Sequence, residues 1–219
     1  MSTLEEKNSA GSYHHGDLRA ALVTAAAELV TCCGPAAVSL REVARIVGVS
    51  HNAPYRHFPT RQALLAAVAA YGFETLRQEM KTDDRGCTPV EEMRAICRTY
   101  VTFALRHRGV YQLMFSDEIQ KGDHPELGAI AHQAFDSLQQ HVMALNPTLH
   151  PGAATVTVWC LVHGIAHLIL DNQLKHYDES DPLHTQLVGI ATNILIAGLI
   201  HAKGEAAALD LDCMKMSAD

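Results

Sequence analysis

The chain has 219 residues, 48% of them hydrophobic, with 24 Asp+Glu against 17 Lys+Arg and a formal net charge of −7. That length suits one large domain or a small one joined to a larger one, and the apolar share supplies a packed core, so a disordered chain is excluded. The acidic balance argues against a nucleic-acid partner only until it is mapped: residues 1–80 carry seven Lys+Arg and seven Asp+Glu, and residues 81–219 carry ten against seventeen.

In chain order, MSTLEEKNSAGS is polar and acidic, so residues 1–12 read as a flexible arm rather than a secretory signal. A first helix is expected from Leu18 to Cys33, capped by Asp17, with Leu22, Ala25 and Leu29 continuing the apolar stripe. Gly34-Pro35 stops it. The six cysteines, including the adjacent Cys32 and Cys33, show no framework spacing. They read as reduced thiols of a cytoplasmic protein, with redox sensing by Cys32 and Cys33 as the alternative.

Ser39-Leu40-Arg41-Glu42 has the capping-box pattern and opens a second helix to about Val47, with Val43, Ala44 and Val47 inward. Gly48 makes a turn. Ser50 is expected to cap a short third helix over 51–57, ended by Phe58-Pro59, and Thr60 to cap a fourth from Arg61 to about Met80. TDDRGCTP (82–89) reads as a domain boundary. Further helices are expected at about 90–107, 110–117, 125–145, 152–174 and 183–203, with His201 and Lys203 in the last turn, Gly204 after it and a tail over 205–219. No segment alternates with period two over strand length. The fold class is therefore all-α, with about nine helices.

Residues 153–170 and 187–200 carry no Asp, Glu, Lys or Arg. The first is long enough to suggest a membrane span, but His163, His167 and two threonines interrupt it and the second is too short. Helices apolar all round read more simply as buried in a core or an oligomer interface, with no membrane partner.

The stretch GVSHNAPYRHFPTRQALL (48–65) carries the functional argument. Two short helices around a glycine turn make a helix-turn-helix, and the second is too polar for core packing alone to explain. His51, Asn52 and Ala53 stand where such a helix meets base edges: Asn pairs with adenine, His donates or accepts, Ala touches a thymine methyl. Tyr55, His57 and Arg61 are phosphate-contact types, and Arg41 is long enough for a guanine or a phosphate. Within 39–61, Arg41, Arg45, Arg56 and Arg61 face one acid, Glu42, an excess that a polyanion could use. The residues alone leave open an ordinary helical corner with a solvated basic face.

VSLREVARIVGVSHNAPYRHFPTRQALLAAVA (38–69) resembles the DNA-binding region of the TetR/AcrR family of bacterial transcriptional regulators, through S-x-R-E-x-A, G-V-S, Y-R-H-F and R-x-x-L-L at matching spacings. SYHHGDLRAAL (12–22) resembles the run before the first helix in a subset of that family. YQLMF (111–115) and W-C-L-V-H-G (159–164) resemble its Trp…His-Gly type of C-terminal domain. The resemblance implies an N-terminal helix-turn-helix DNA-binding domain over 13–82 and a helical ligand-binding and dimerisation domain over 83–204. It implies base contacts from Arg41, His51, Asn52 and Ala53, and phosphate contacts from Ser39, Tyr55, His57 and Arg61, with Ser50 at the start of the reading helix. Asn52 replaces a residue that is often small in relatives.

It further implies a homodimer on a palindromic double-stranded operator, a small-molecule effector and a repressor released by it. For the effector pocket, Tyr100, Phe103, Tyr111, Met114, Phe115, Trp159 and His163 are candidates, and each is equally a core type. Gly164, Gly189 and Gly198 would let helices approach closely. His163 and His167 have a metal-compatible spacing without a completing Cys or carboxylate pattern, so no metal and no cofactor is expected. A metal- or redox-responsive regulator on the same scaffold is the alternative. No nucleophile triad, phosphate loop or paired-carboxylate signature points to an enzyme.

Overall fold

The computed structural model describes residues 18–81, 87–174 and 183–202. The arm, the Asp17 cap, Lys203, Gly204, the tail and most of the 82–89 boundary lie outside them. Among the described residues eight α-helices follow in order: α1 Leu18–Cys33, α2 Leu40–Val47, α3 Arg61–Glu79, α4 Pro89–Arg106, α5 Arg108–Met114, α6 Pro125–Leu145, α7 Pro151–Leu170 and α8 Leu183–His201. Among the described residues there is no strand, as the missing period-two alternation leads one to expect.

The helix ends follow local chemistry. Gly34, at φ 79°, breaks α1, and Pro35–Ala37 form one 3-10 turn. The N–H of Glu42 donates to Ser39 Oγ (3.1 Å), and Gly48 at φ 76° closes α2 in the left-handed region that favours glycine. The Glu42 carboxylate turns to Arg45 (2.7 and 3.0 Å), so only half of the expected capping box forms there. A complete one stands at Thr88-Pro89-Val90-Glu91, straddling the end of the 82–89 stretch that reads as a boundary and the start of the helix expected after it. The N–H of Ala63 donates to Thr60 Oγ1 at the start of α3. α7 ends at Leu170 rather than 174 because Asn172 adopts a left-handed φ of 54°.

The expected third helix is the clearest correction. Only Pro54–Arg56 is helical, as a single 3-10 turn. Pro54 has no N–H to donate to Ser50 O, so an α-ladder cannot run through it. Ser50 O instead accepts from Ala53 N–H (2.9 Å), and the N–H groups of His57 and Phe58 both reach Pro54 O at 2.9 Å.

Leu22, Ala26, Val43, Leu64, Leu65 and Val68 are fully buried where α1, α2 and the first half of α3 meet. The second half of α3 runs on against α5 and α6, and α4 packs on α6, α7 and α8. Short α5 is the wedge between the two parts. A Cβ on Gly109 would stand 2.5 Å from Val30 O in α1, and one on Gly72 in α3 would stand 2.6 Å from Met114 Sδ. By contrast, Gly164, Gly189 and Gly198 face open space within the protomer. α7 is the one described helix long and apolar enough to cross a membrane, with a mean hydropathy of 1.8; here it packs against α4, α6 and α8.

Candidate functional site

The corner from Gly48 to Phe58 is held from beneath. Val43, Ala44, Pro54 and Phe58 are buried, and the Arg19 guanidinium lies 5.4 Å from the centre of the Phe58 ring. This anchoring leaves Ser50, His51, Asn52, Tyr55, Arg56 and His57 exposed, with Ala53 half-buried. Arg41 and Ser39 are exposed beside them at the start of α2. Ser39 Oγ accepts from Glu42 N–H, so its own hydroxyl hydrogen stays available to an outside acceptor. Arg45 is spoken for: its bond to Glu42 holds that carboxyl below the usual range and raises the guanidinium.

Arg61 departs from the phosphate contact implied for it. Its guanidinium turns inward, donating to Pro35 O, to Val38 O (2.9 Å) and to Glu118 Oε1 (2.9 Å). It ties the start of α3 to the segment after α5, and Gln62 Nε2 adds a bond to Glu118 O. Arg19 pairs with Glu126 at the start of α6 (3.1 Å). The stretch between α5 and α6 is thus fastened at both ends to the N-terminal helices. Charge type alone could not reveal this.

A cavity of about 140 Å³ lies between α3, α4, α6 and α7. Of the residues singled out by sequence, Tyr100, Phe115 and Trp159 line it. Phe103, Tyr111 and Met114 do not; they are fully buried packing residues, with Met114 filling the space over Gly72. His163 stands behind the wall. The lining residues missed by sequence include Phe73, Cys97 and Phe135. Among the described residues, no lining side chain is charged. Burial pushes the Cys97 thiol up to about 11, so it is neutral.

A polar cluster backs the Tyr100 side. Tyr111 Oη and Tyr100 Oη lie 2.7 and 2.9 Å from His163 Nδ1, and Trp159 Nε1–H donates to Tyr100 Oη (3.2 Å). Burial pushes the Tyr100 phenol up to about 12, against the opposing pull of its bonds with Tyr111 and Trp159. Burial raises the Tyr111 phenol still further. The His167 ring is tilted against that of His163, their centres 4.4 Å apart, and its Nε2 is buried without a hydrogen bond among the described residues. Also among them, no three His, Cys, Asp or Glu side chains are grouped to hold a metal ion.

Two family models match this arrangement. Residues 22–68 match bacterial regulatory proteins of the tetR family, and residues 93–190 match the tetracyclin repressor-like C-terminal domain. The chain belongs to the TetR family. It is a TetR-family transcriptional regulator with a DNA-binding helix-turn-helix and a C-terminal ligand-binding domain. Among solved structures it is similar to a protein of unknown function from Rhodococcus sp. RHA1, with 29% identity, 86% of this chain and 98% of that one covered, and a TM-score of 0.74. The TetR-family regulator PfmR of Thermus thermophilus shares the fold at 14% identity, with 81% and 98% covered and a TM-score of 0.59. So does a single-substitution variant of TetR from Acinetobacter baumannii AYE in complex with minocycline, at 20% identity, with 82% and 94% covered and a TM-score of 0.57. No curated protein matches the sequence.

Proposed function

We propose that this TetR-family regulator acts in the cytoplasm as a homodimer on a palindromic operator and represses transcription until a small molecule enters the cavity and releases it. The carrying observation is the anchored corner: exposed His51, Asn52, Tyr55, His57 and Arg41 on a buried base of Val43, Ala44, Pro54 and Phe58. In this reading residues 13–82 bind DNA and 83–204 bind effector and partner. His51, Asn52 and Ala53 meet base edges, Arg41 a base or phosphate, and Ser39, Ser50, Tyr55 and His57 the backbone. Arg61 braces the domain instead.

Exposed apolar side chains on α7 and α8 support the dimer: Ile194 is 69% exposed and Ile190 59%, with Val156 and Leu168 also exposed. A two-fold pair sets two corners about one DNA turn, roughly 34 Å, apart. Release runs through α5, whose capping residue Phe115 lines the cavity while Gly109 presses on α1. A ligand that binds better when α5 has shifted favours a state with misplaced corners.

Repeated selection from a random duplex pool tests this. The expected outcome is an enriched inverted repeat with half-sites about one helical turn apart. A pool that stays random would overturn the reading.

A further inference from the structure

The cavity and its polar backing, taken as the effector site proposed above, specify the chemistry of what enters. Cavities of about 150 Å³ lined by apolar side chains hold a single benzene ring, and this one, at about 140 Å³, is of that size. Its aromatic walls, Phe73 and Trp159 among them, suit a ring, and among the described residues it offers no charged side chain. A charged ligand would be stripped of water without an ionic partner.

The hydrogen count at the Tyr100 side adds the polar requirement. Tyr100, Tyr111 and Trp159 bring three donor hydrogens to a cluster whose side-chain acceptors are one imidazole lone pair and the phenol oxygens. Tyr111, at 2.7 Å, has the shorter approach to His163 Nδ1, and the Trp159 hydrogen goes to Tyr100 Oη. The Tyr100 hydrogen is left to share that lone pair or to reach Tyr111 Oη at 3.5 Å. In the other imidazole tautomer Nδ1–H becomes a donor too, and only the phenol oxygens remain to accept. In neither tautomer does the Tyr100 hydrogen have a short acceptor to itself among the described residues, and of the two phenols Tyr100 is the one that lines the cavity.

We propose that the effector is a small uncharged ring compound that presents one oxygen acceptor to the Tyr100 hydroxyl.

Calorimetric titration of the full-length protein with acetophenone, ethylbenzene, benzoate and benzylammonium tests this. The single tryptophan, Trp159, gives a fluorescence signal from the cavity itself. Acetophenone and ethylbenzene are expected to bind, and the two ions not. Because ethylbenzene leaves water more readily, the decisive quantity is the ratio of the two affinities. Tyr100→Phe should shift that ratio against acetophenone by roughly three- to tenfold, the worth of one hydrogen bond. Ala134→Leu, which fills the cavity, should abolish both signals in a protein whose helical circular dichroism is unchanged.

An unchanged ratio in Tyr100→Phe overturns the acceptor assignment. Tighter binding of either ion overturns the uncharged class. No ring compound binding, or binding that survives Ala134→Leu, overturns the site. Operator binding is scored separately on the selected duplex. Acetophenone that binds as expected yet leaves duplex affinity unchanged supports the ligand class and refutes the release mechanism.

Discussion

Arg61 discriminates between two physical roles. As a brace, it makes three inward bonds, to Pro35 O, Val38 O and Glu118, with its side chain 35% exposed and that of Glu118 30%. A hydrogen bond to a charged group contributes about 1.5–3 kcal/mol when buried. With a third of each partner in water, about 1 kcal/mol per bond is the better figure. Arg61→Ala should therefore cost about 2–3 kcal/mol. At roughly 2–4 °C per kcal/mol for a domain of this size, the melting temperature should fall by about 5–10 °C. Arg61→Lys keeps the charge but loses the fork that reaches three acceptors, and should still cost about 1–2 kcal/mol. Glu118→Ala, combined with Arg61→Ala in a double-mutant cycle, should show a coupling of about 1 kcal/mol. Thermal denaturation followed by circular dichroism reads all of these. A DNA salt titration supplies the contrast, because loss of a phosphate contact lowers the salt slope by about 1. Arg61 variants that melt like the parent but lose one unit of slope would refute the brace.

Other consequences are equally specific. Gly109→Ala places a methyl against the Val30 carbonyl; overpacking of about 1–3 kcal/mol outweighs the gain in helix propensity, and the melting temperature should fall by several degrees. Ile194→Asp puts a charge on an exposed residue of α8, so the protomer should stay folded while sedimentation shows monomers; a variant that remains dimeric would place the interface elsewhere. Both buried phenols have folded pKa values raised above the ordinary value of 10.0, Tyr100 to about 12. Stability is therefore fully present below pH 10 and lost as pH rises toward 12, on the order of 2–3 kcal/mol from Tyr100. Denaturant midpoints should be flat from pH 7 to 9 and fall above pH 10, and Tyr111→Phe should shallow that fall.

Local signals in the sequence carry much of the fold. The Leu18–Cys33 stripe with its Gly-Pro stop, the Ser39 and Thr60 caps and the Gly48 turn are readable because each acts within a few residues. The same local logic holds at Thr88-Pro89-Val90-Glu91, where the polar, Gly- and Pro-containing surroundings mask a capping pattern. Pro54 defeats the expected third helix because the missing N–H outweighs an otherwise helical pattern. Arg61, Gly72 and Gly109 are not legible in their roles, since what they touch lies 23 to 57 residues away for Arg61 and in other helices for the glycines. The cavity shows the same limit: Tyr100, Phe115 and Trp159 stand out as aromatic candidates, but whether a residue lines a void or fills one depends on how four helices meet.

The most direct test of the central claim is the affinity of the full-length protein for a selected duplex and a scrambled one across a salt series. A sequence-specific regulator should show at least roughly a thousandfold preference for the selected duplex near physiological salt, a log affinity that falls linearly and steeply with log salt, and loss of that preference in Asn52→Ala with the slope retained. Equal, weak binding to both duplexes, or a preference indifferent to Asn52, would contradict the claim.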